Sequence, residues 1–222
     1  MRPLTRIKSY TTPLRGICLS YAAEFGVIAG KGLRQIGPLL SAIEQETTIP
    51  AEAREMAALL GREIEHLDTR IKEIDVKLAA AHKANEVSQR LATIPGVGPV
   101  TAMTLAIEVD PAAFESGRHL AAWAGLTPKE HSTAGKQRMG GISRAGHERL
   151  RVLLVTGATS VIKAAMRPGS TRMTDWLRAL LARKPRKVVA VALANKMARM
   201  AWALMTRGEV YRRPAAAGAA AA

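Results

Sequence analysis

The sequence predicts an all-α protein: a long coiled-coil-like helix joined to a basic multi-helix domain that contains a helix-hairpin-helix. Three observations carry that prediction. The chain is built from runs of Ala, Leu, Met, Lys, Arg and Glu, the strong helix formers. Ala57, Leu60, Ile64, Leu67, Ile71, Ile74 and Leu78 recur at alternating spacings of three and four, which is a heptad seam. No alternating apolar–polar stretch of useful length signals a strand. Of the 222 residues 48% are hydrophobic but only eight are aromatic, so the core must be aliphatic.

Taken in order, residues 1–48 read as a basic N-terminal segment with one helix near 14–25, ended at Gly26. Residues 30–38, with three glycines and a proline, read as a connector. Residues 49–90 form the coiled-coil-like helix, whose intervening positions are charged: Arg62, Glu63, Glu65, Asp68, Arg70, Lys72 and Glu73. Its apolar seam (residues 51–82) needs a partner, either from this chain or from a second copy, and its length favours the homo-oligomer. Residues 91–210 hold helices near 99–109, 119–124, 144–163, 174–183 and 185–206. Pro99 and Pro185 suit first helical positions, and Thr174 suits an N-cap. Residues 211–222 are an alanine-rich, low-complexity tail, expected to be disordered.

The formal net charge is +15, and it is unevenly placed. Residues 1–90 hold 13 basic against 11 acidic residues, whereas residues 91–222 hold 20 against 7. A cationic field of that size favours a polyanion such as DNA through counterion release. Cys18 is the sole cysteine, which excludes an intramolecular disulfide and a cysteine-based zinc site. The start of the chain lacks the apolar core of a signal peptide. The apolar run from 188 to 205 is broken by Lys196 and Arg199, against a membrane span. The expected location is the cytoplasm.

Two motifs concentrate the chemistry. In Ile94-Pro-Gly-Val-Gly-Pro-Val-Thr101, Gly96 and Gly98 permit a tight turn. The amides of the next helix start, with Thr101, could then hold a backbone phosphate. The alternative is a purely structural hairpin whose glycines only let helices pack. In residues 126–146 a long loop carries Ser132 and Ser143 among Lys129, Lys136, Arg138, Arg144 and Arg149. Cations around a hydroxyl stabilise its alkoxide and a phosphorane-like transition state. His131 is a neighbouring base. The alternative makes these hydroxyls caps and turns, with Ser143 capping a helix that begins at Arg144. The arginines of that helix, Arg144, Arg149 and Arg151, either clamp phosphates or form a solvated face. His119 and His147 lack a second ligand at metal-binding spacing.

These segments, with Ala122-Trp-Ala-Gly-Leu-Thr-Pro128 and Leu193-Ala-Asn-Lys-Met-Ala-Arg199, resemble in order and content the bridge-RNA-guided, DEDD-type insertion-sequence transposases. The resemblance covers nearly all of residues 14–210. It implies a recombinase that transposes DNA by serine-mediated strand exchange through a covalent phosphoserine. It also implies a guide RNA as partner. The nucleophile carries over to Ser132, with Thr133 as the register alternative. Lys136, Arg138, Ser143 and Arg144 carry over as phosphate-binding or loop-organising positions. That family's RNase H-like N-terminal domain, with its metal-binding acidic residues, has no counterpart here, because Asp68 is the first aspartate and lies on the heptad helix. The resemblance therefore implies an N-terminally truncated member, with no cofactor in this chain and magnesium only alongside the missing domain. A non-enzymatic nucleic-acid-binding remnant, or a dimerising regulator of full-length transposase, is the competing expectation.

Overall fold

The computed structural model describes residues 2–28, 36–133 and 139–212. Its elements are α1 (Arg2–Glu24), α2 (Ile36–Gln45), α3 (Ala51–Ala84), α4 (Glu86–Ala92), α5 (Pro99–Glu108), α6 (Gly117–Trp123), β1 (Pro128–Glu130), β2 (Met139–Ile142), α7 (Glu148–Ala165), α8 (Asp175–Arg183) and α9 (Arg186–Arg207). A 3-10 turn at Pro111–Ala113 lies between α5 and α6. The all-α expectation holds. The short antiparallel ribbon β1–β2, with Pro128 opposite Ile142 and Glu130 opposite Met139, is the addition. Strands of three and four residues are too short to show a period of two.

The chain divides into two compact units, residues 1–78 and 79–222. The boundary falls inside the heptad helix rather than at its end. In the first unit α1 runs back to Arg2, well before the expected start, with Pro13 inside it. Gly26 (φ 76°) ends the helix as its sequence position suggests. Helix α2 begins at Ile36, so Pro38 sits in a first turn, where its missing N–H costs nothing. Cys18, Ala22, Leu39, Ile43, Ala57 and Ile64 form the core of this unit. Gly61 of α3 permits a close approach, since a Cβ there would stand 2.5 Å from Leu40 Cδ1. Arg15 closes the assembly with two hydrogen bonds to Asp68, at 2.7 and 2.6 Å.

This packing resolves half of the heptad seam. Ala57 and Ile64 are buried by helices of the same chain. Further along, Leu67, Ile71, Ile74 and Leu78 are only partly buried.

The second unit is built around α9. Its small residues Ala194, Ala198 and Ala201, with Met197, are fully buried. They let α6 and α7 approach closely, and a Cβ at Gly117 would lie 2.9 Å from the Cα of Arg199. Leu91, Leu105, Leu120, Leu150 and Leu154 complete the core. Each such leucine contributes roughly 1.5–3 kcal/mol on burial. Helix α9 is the one helix among the described residues long and apolar enough to cross a membrane. Its apolar face is occupied by this core instead. Thr174 caps α8 through a bond from the Leu177 amide, as expected. Pro185 stands one position earlier than expected, at the N-cap of α9.

Candidate nucleic-acid interface

The glycine-rich turn joins α4 to α5. Its two glycines do different things. Gly96 adopts φ 89°, which side-chain-bearing residues rarely take, and a Cβ there would lie 2.8 Å from the Gly157 carbonyl oxygen. Gly96 is therefore fixed by conformation and by packing on α7. Gly98 has an ordinary φ of −85°, and a Cβ there would meet open space. It is the N-cap of α5 and supplies no side-chain cap. Pro99 follows at the first helical position, and Ala102 is the first residue whose amide bonds back, to Gly98. The amides of Val100 and Thr101 are thus the orphan donors of an uncapped helix start. The Thr101 side chain, expected to reach a phosphate, is instead buried at 6% exposure.

The Ser132 loop is pinned at both feet. On the incoming side Leu126 N bonds to Ala121 O, and Asn195 of α9 holds the Leu126 carbonyl at 3.4 Å. On the outgoing side His147 N bonds to Trp123 O at 3.1 Å. Between the feet, Arg151 donates through Nη1 to the carbonyls of Ala124 and Ala145, both at 3.1 Å. Gly125 (φ 69°) and Gly146 (φ 80°) allow this crossing. A Cβ at either would lie within about 2.2 Å of a backbone oxygen. The ribbon β1–β2 rises from this base, and the Ser143 amide bonds to Thr127 O at 2.8 Å.

Several expected roles change here. Ser143 does not cap a helix: α7 starts at Glu148, not Arg144, and His147 caps it by accepting from the Leu150 amide at 3.1 Å. Arg144 lies before the helix in the left-handed region at φ 55°. That backbone costs a non-glycine residue about 1 kcal/mol or more. Arg151, expected as a phosphate clamp or solvated cation, is a buried structural bolt at 8% exposure. Arg149 pairs with Glu108 at 3.3 Å, and His147 Nε2 lies 2.9 Å from the other oxygen of Glu108. Arg149 and Arg151 are thus engaged within the chain, whereas Arg144 is exposed.

Ser132 is partly buried, and Thr133 beside it is exposed. His131 lies across the ribbon over Gly140, where a Cβ would come within 3.1 Å of its ring. Lys129 is exposed on β1. Lys136 and Arg138 lie outside the described residues. The expected site residues thus form two groups in one unit. One is the open start of α5, and the other is the pinned loop with Ser132, Ser143 and Arg144. The residues that position the loop, Arg151, Asn195 and His147, escaped sequence reasoning. Asn195 within Ala-Asn-Lys-Met carried the only signal, as a polar residue on an otherwise apolar helix face.

Comparison with known proteins defines the class to which this unit is related. Residues 88–173, from α4 to just short of α8, match the transposase family described as IS116/IS110/IS902. Insertion-sequence transposases are accordingly the relatives of this chain. It is 50% identical over 202 residues to the y4pF/y4sB protein of Sinorhizobium fredii, which carries a transposase name. That alignment covers 90% of this chain and 52% of the relative. It is 36% identical over 193 residues to the transposase for insertion sequence element IS1328 of Yersinia enterocolitica, covering 86% of this chain and 57% of the relative. A similar match, 36% over 193 residues, joins it to the transposase for IS1111A of Coxiella burnetii. The chain spans about half the length of the curated relatives it matches.

Proposed function

We propose that the chain acts in DNA transposition of an insertion sequence, binding DNA through the start of α5 and the basic second unit, and exchanging strands through Ser132. The observation that carries this reading is the match of residues 88–173, which contain Ser132, to the transposase family. The uneven positive charge and the clamped loop support it.

The chemistry balances without an energy source. Ser132 Oγ forms a bond to a backbone phosphorus while the bond from that phosphorus to a deoxyribose oxygen breaks. The serine proton passes to a base, for which His131 is the neighbouring group, and the departing oxygen takes up a proton. Attack of another deoxyribose hydroxyl on the phosphoserine reverses the step on a new strand. One phosphoester is broken for each one made. Nearby cations, among them Arg144, would stabilise the charge that builds on the phosphoryl oxygens. Amides at the start of α5 would fix the backbone in register. Among the described residues no cluster of three or more His, Cys, Asp or Glu could hold a metal ion. A guide RNA and a second copy of the chain, paired along Leu67, Ile71, Ile74 and Leu78, belong to the same proposal.

A denaturing gel tests it. Incubation with element-end DNA, cognate RNA and magnesium should give a covalent protein–DNA adduct. Ser132→Ala should abolish the adduct, whereas Ser143→Ala should retain it. An adduct lost only in Thr133→Ala would move the nucleophile by one residue. Salt-sensitive DNA binding with no adduct from the wild type would leave a binding module in place of the recombinase.

A further inference from the structure

Two neighbouring cavities on the second unit extend well beyond the start of α5. The first, of about 710 Å³, lies between the α4–α5 turn, α7, α8 and α9. The second, of about 730 Å³, lies between the start of α6, α8 and α9. They share Trp176, Lys196 and Met200, so together they form a continuous groove with these three residues at its waist. Lys196 Nζ sits 4.5 Å from the Trp176 ring centroid.

The lining has a definite chemistry. Arg172 and Lys196 contribute cations to the first cavity, and Arg118 and Arg199 contribute cations to the second. Neither lining includes an aspartate or a glutamate. Trp176 is 39% exposed, so its indole can be reached from the groove. The Gly98 end of α5, with its orphan amides, opens into the first cavity. A polyanion whose flat apolar groups are available for stacking satisfies all of these features. A duplex hides its base faces, whereas a single strand exposes them.

We propose that this groove is a single-strand nucleic-acid track, with Trp176 as the stacking platform for one unpaired base. The reading rests on the nucleic-acid role proposed above and adds a site to it. An arriving base replaces the Lys196 ammonium over the indole face, and the released ammonium then meets the adjoining phosphate. Arg118 and Arg199 continue the phosphate path on one side of the waist, and Arg172 does so on the other. Strand exchange requires unpaired segments, and this groove would hold one on the same unit as Ser132 without reading its sequence.

The test uses the full chain and fluorescence anisotropy with a labelled oligothymidine of about 12 nucleotides. A duplex of about 20 base pairs serves as the second probe. Trp176→Ala should weaken oligothymidine binding by roughly ten-fold or more. Trp176→Phe should restore most of it, and duplex affinity should stay within about two-fold. Because Trp176 is exposed, thermal melts of both variants should match the wild type. Unchanged oligothymidine binding by Trp176→Ala would overturn the proposal. So would displacement of the oligomer by an equal concentration of thymidine monophosphate, which would mark a mononucleotide pocket. Wild-type binding to duplex but not to oligothymidine would overturn this track alone. Binding to neither would overturn the nucleic-acid role as well.

Discussion

Gly96 and Gly157 meet backbone to backbone: a Cβ on Gly157 would stand 2.1 Å from the Gly96 carbonyl oxygen. The turn between α4 and α5 is thereby seated directly on α7. Gly157→Ala should lower stability by about 1–3 kcal/mol or more through overpacking. Gly96→Ala should do at least as much, because its φ of 89° adds strain. Gly98→Ala meets open space but loses a favoured N-cap residue, so it should cost less, about 0.5–1 kcal/mol. Urea unfolding of the three variants checks this ordering. A loss of DNA affinity in Gly98→Ala would then report on phosphate approach and not on folding.

Arg151 holds two carbonyls at once. Arg151→Met should cost about 2–3 kcal/mol, since both oxygens lose a charged donor in a buried setting. The loss should appear in thermal unfolding, with any adduct chemistry failing alongside it. A variant of unchanged stability would return Arg151 to the surface role suggested by sequence.

His147, not Ser143, begins α7. His147→Ala should cost about 1 kcal/mol, and His147→Asn should recover most of that because asparagine is a strong N-cap. Ser143→Ala should change stability by less than about 0.5 kcal/mol. Thermal melts of the three variants separate the two capping assignments.

The sequence made the helices legible wherever a local rule governs them: the heptad spacing, Pro99 at a helix start, Thr174 as a cap, Gly26 as a stop. It did not reveal what depends on contacts between distant positions. Ser143-Arg-Ala-Gly146 has the composition of a helix start, yet the crossing of Gly125 and Gly146 needs extended and left-handed backbone there. Arg151 reads as a surface cation until the carbonyls of Ala124 and Ala145 are seen to converge on it. At the candidate site, the open start of α5 was legible from Gly-Val-Gly-Pro. The burial of Thr101 was not, because burial depends on packing that the local motif does not encode.

The heptad seam has two halves with different fates under substitution. Ile64 is 4% exposed, so Ile64→Asp should unfold the first unit, at a cost above about 3 kcal/mol. Ile71 is only partly buried, so Ile71→Asp should cost much less. Under the proposed pairing of two copies, Ile71→Asp should also lower the sedimenting mass in analytical ultracentrifugation. Sedimentation identical to wild type would remove self-association through this seam.

Cys18 is 1% exposed, and burial pushes its thiol pKa up. Its thiolate, the form that reacts, is therefore scarcer at any given pH than in a free cysteine. Labelling by a thiol reagent at mildly alkaline pH should be on the order of 100-fold slower in the native chain than in urea. The native rate should go on rising with pH beyond the range where a free thiol levels off. Because Cys18 lies in the first unit, labelling reports on the opening of that unit alone.

The inward face of α9 is mostly alanine, a residue without rotamers, so neighbouring helices grip its main chain directly. The outward face carries the exposed Lys196 and Arg199 on long stems. Anchorage and reach are thus separated along one helix: the points from which the cations spring are fixed, while their tips can follow a ligand that changes shape. Exchanging these outer residues can alter what the groove accepts without disturbing what holds the unit together.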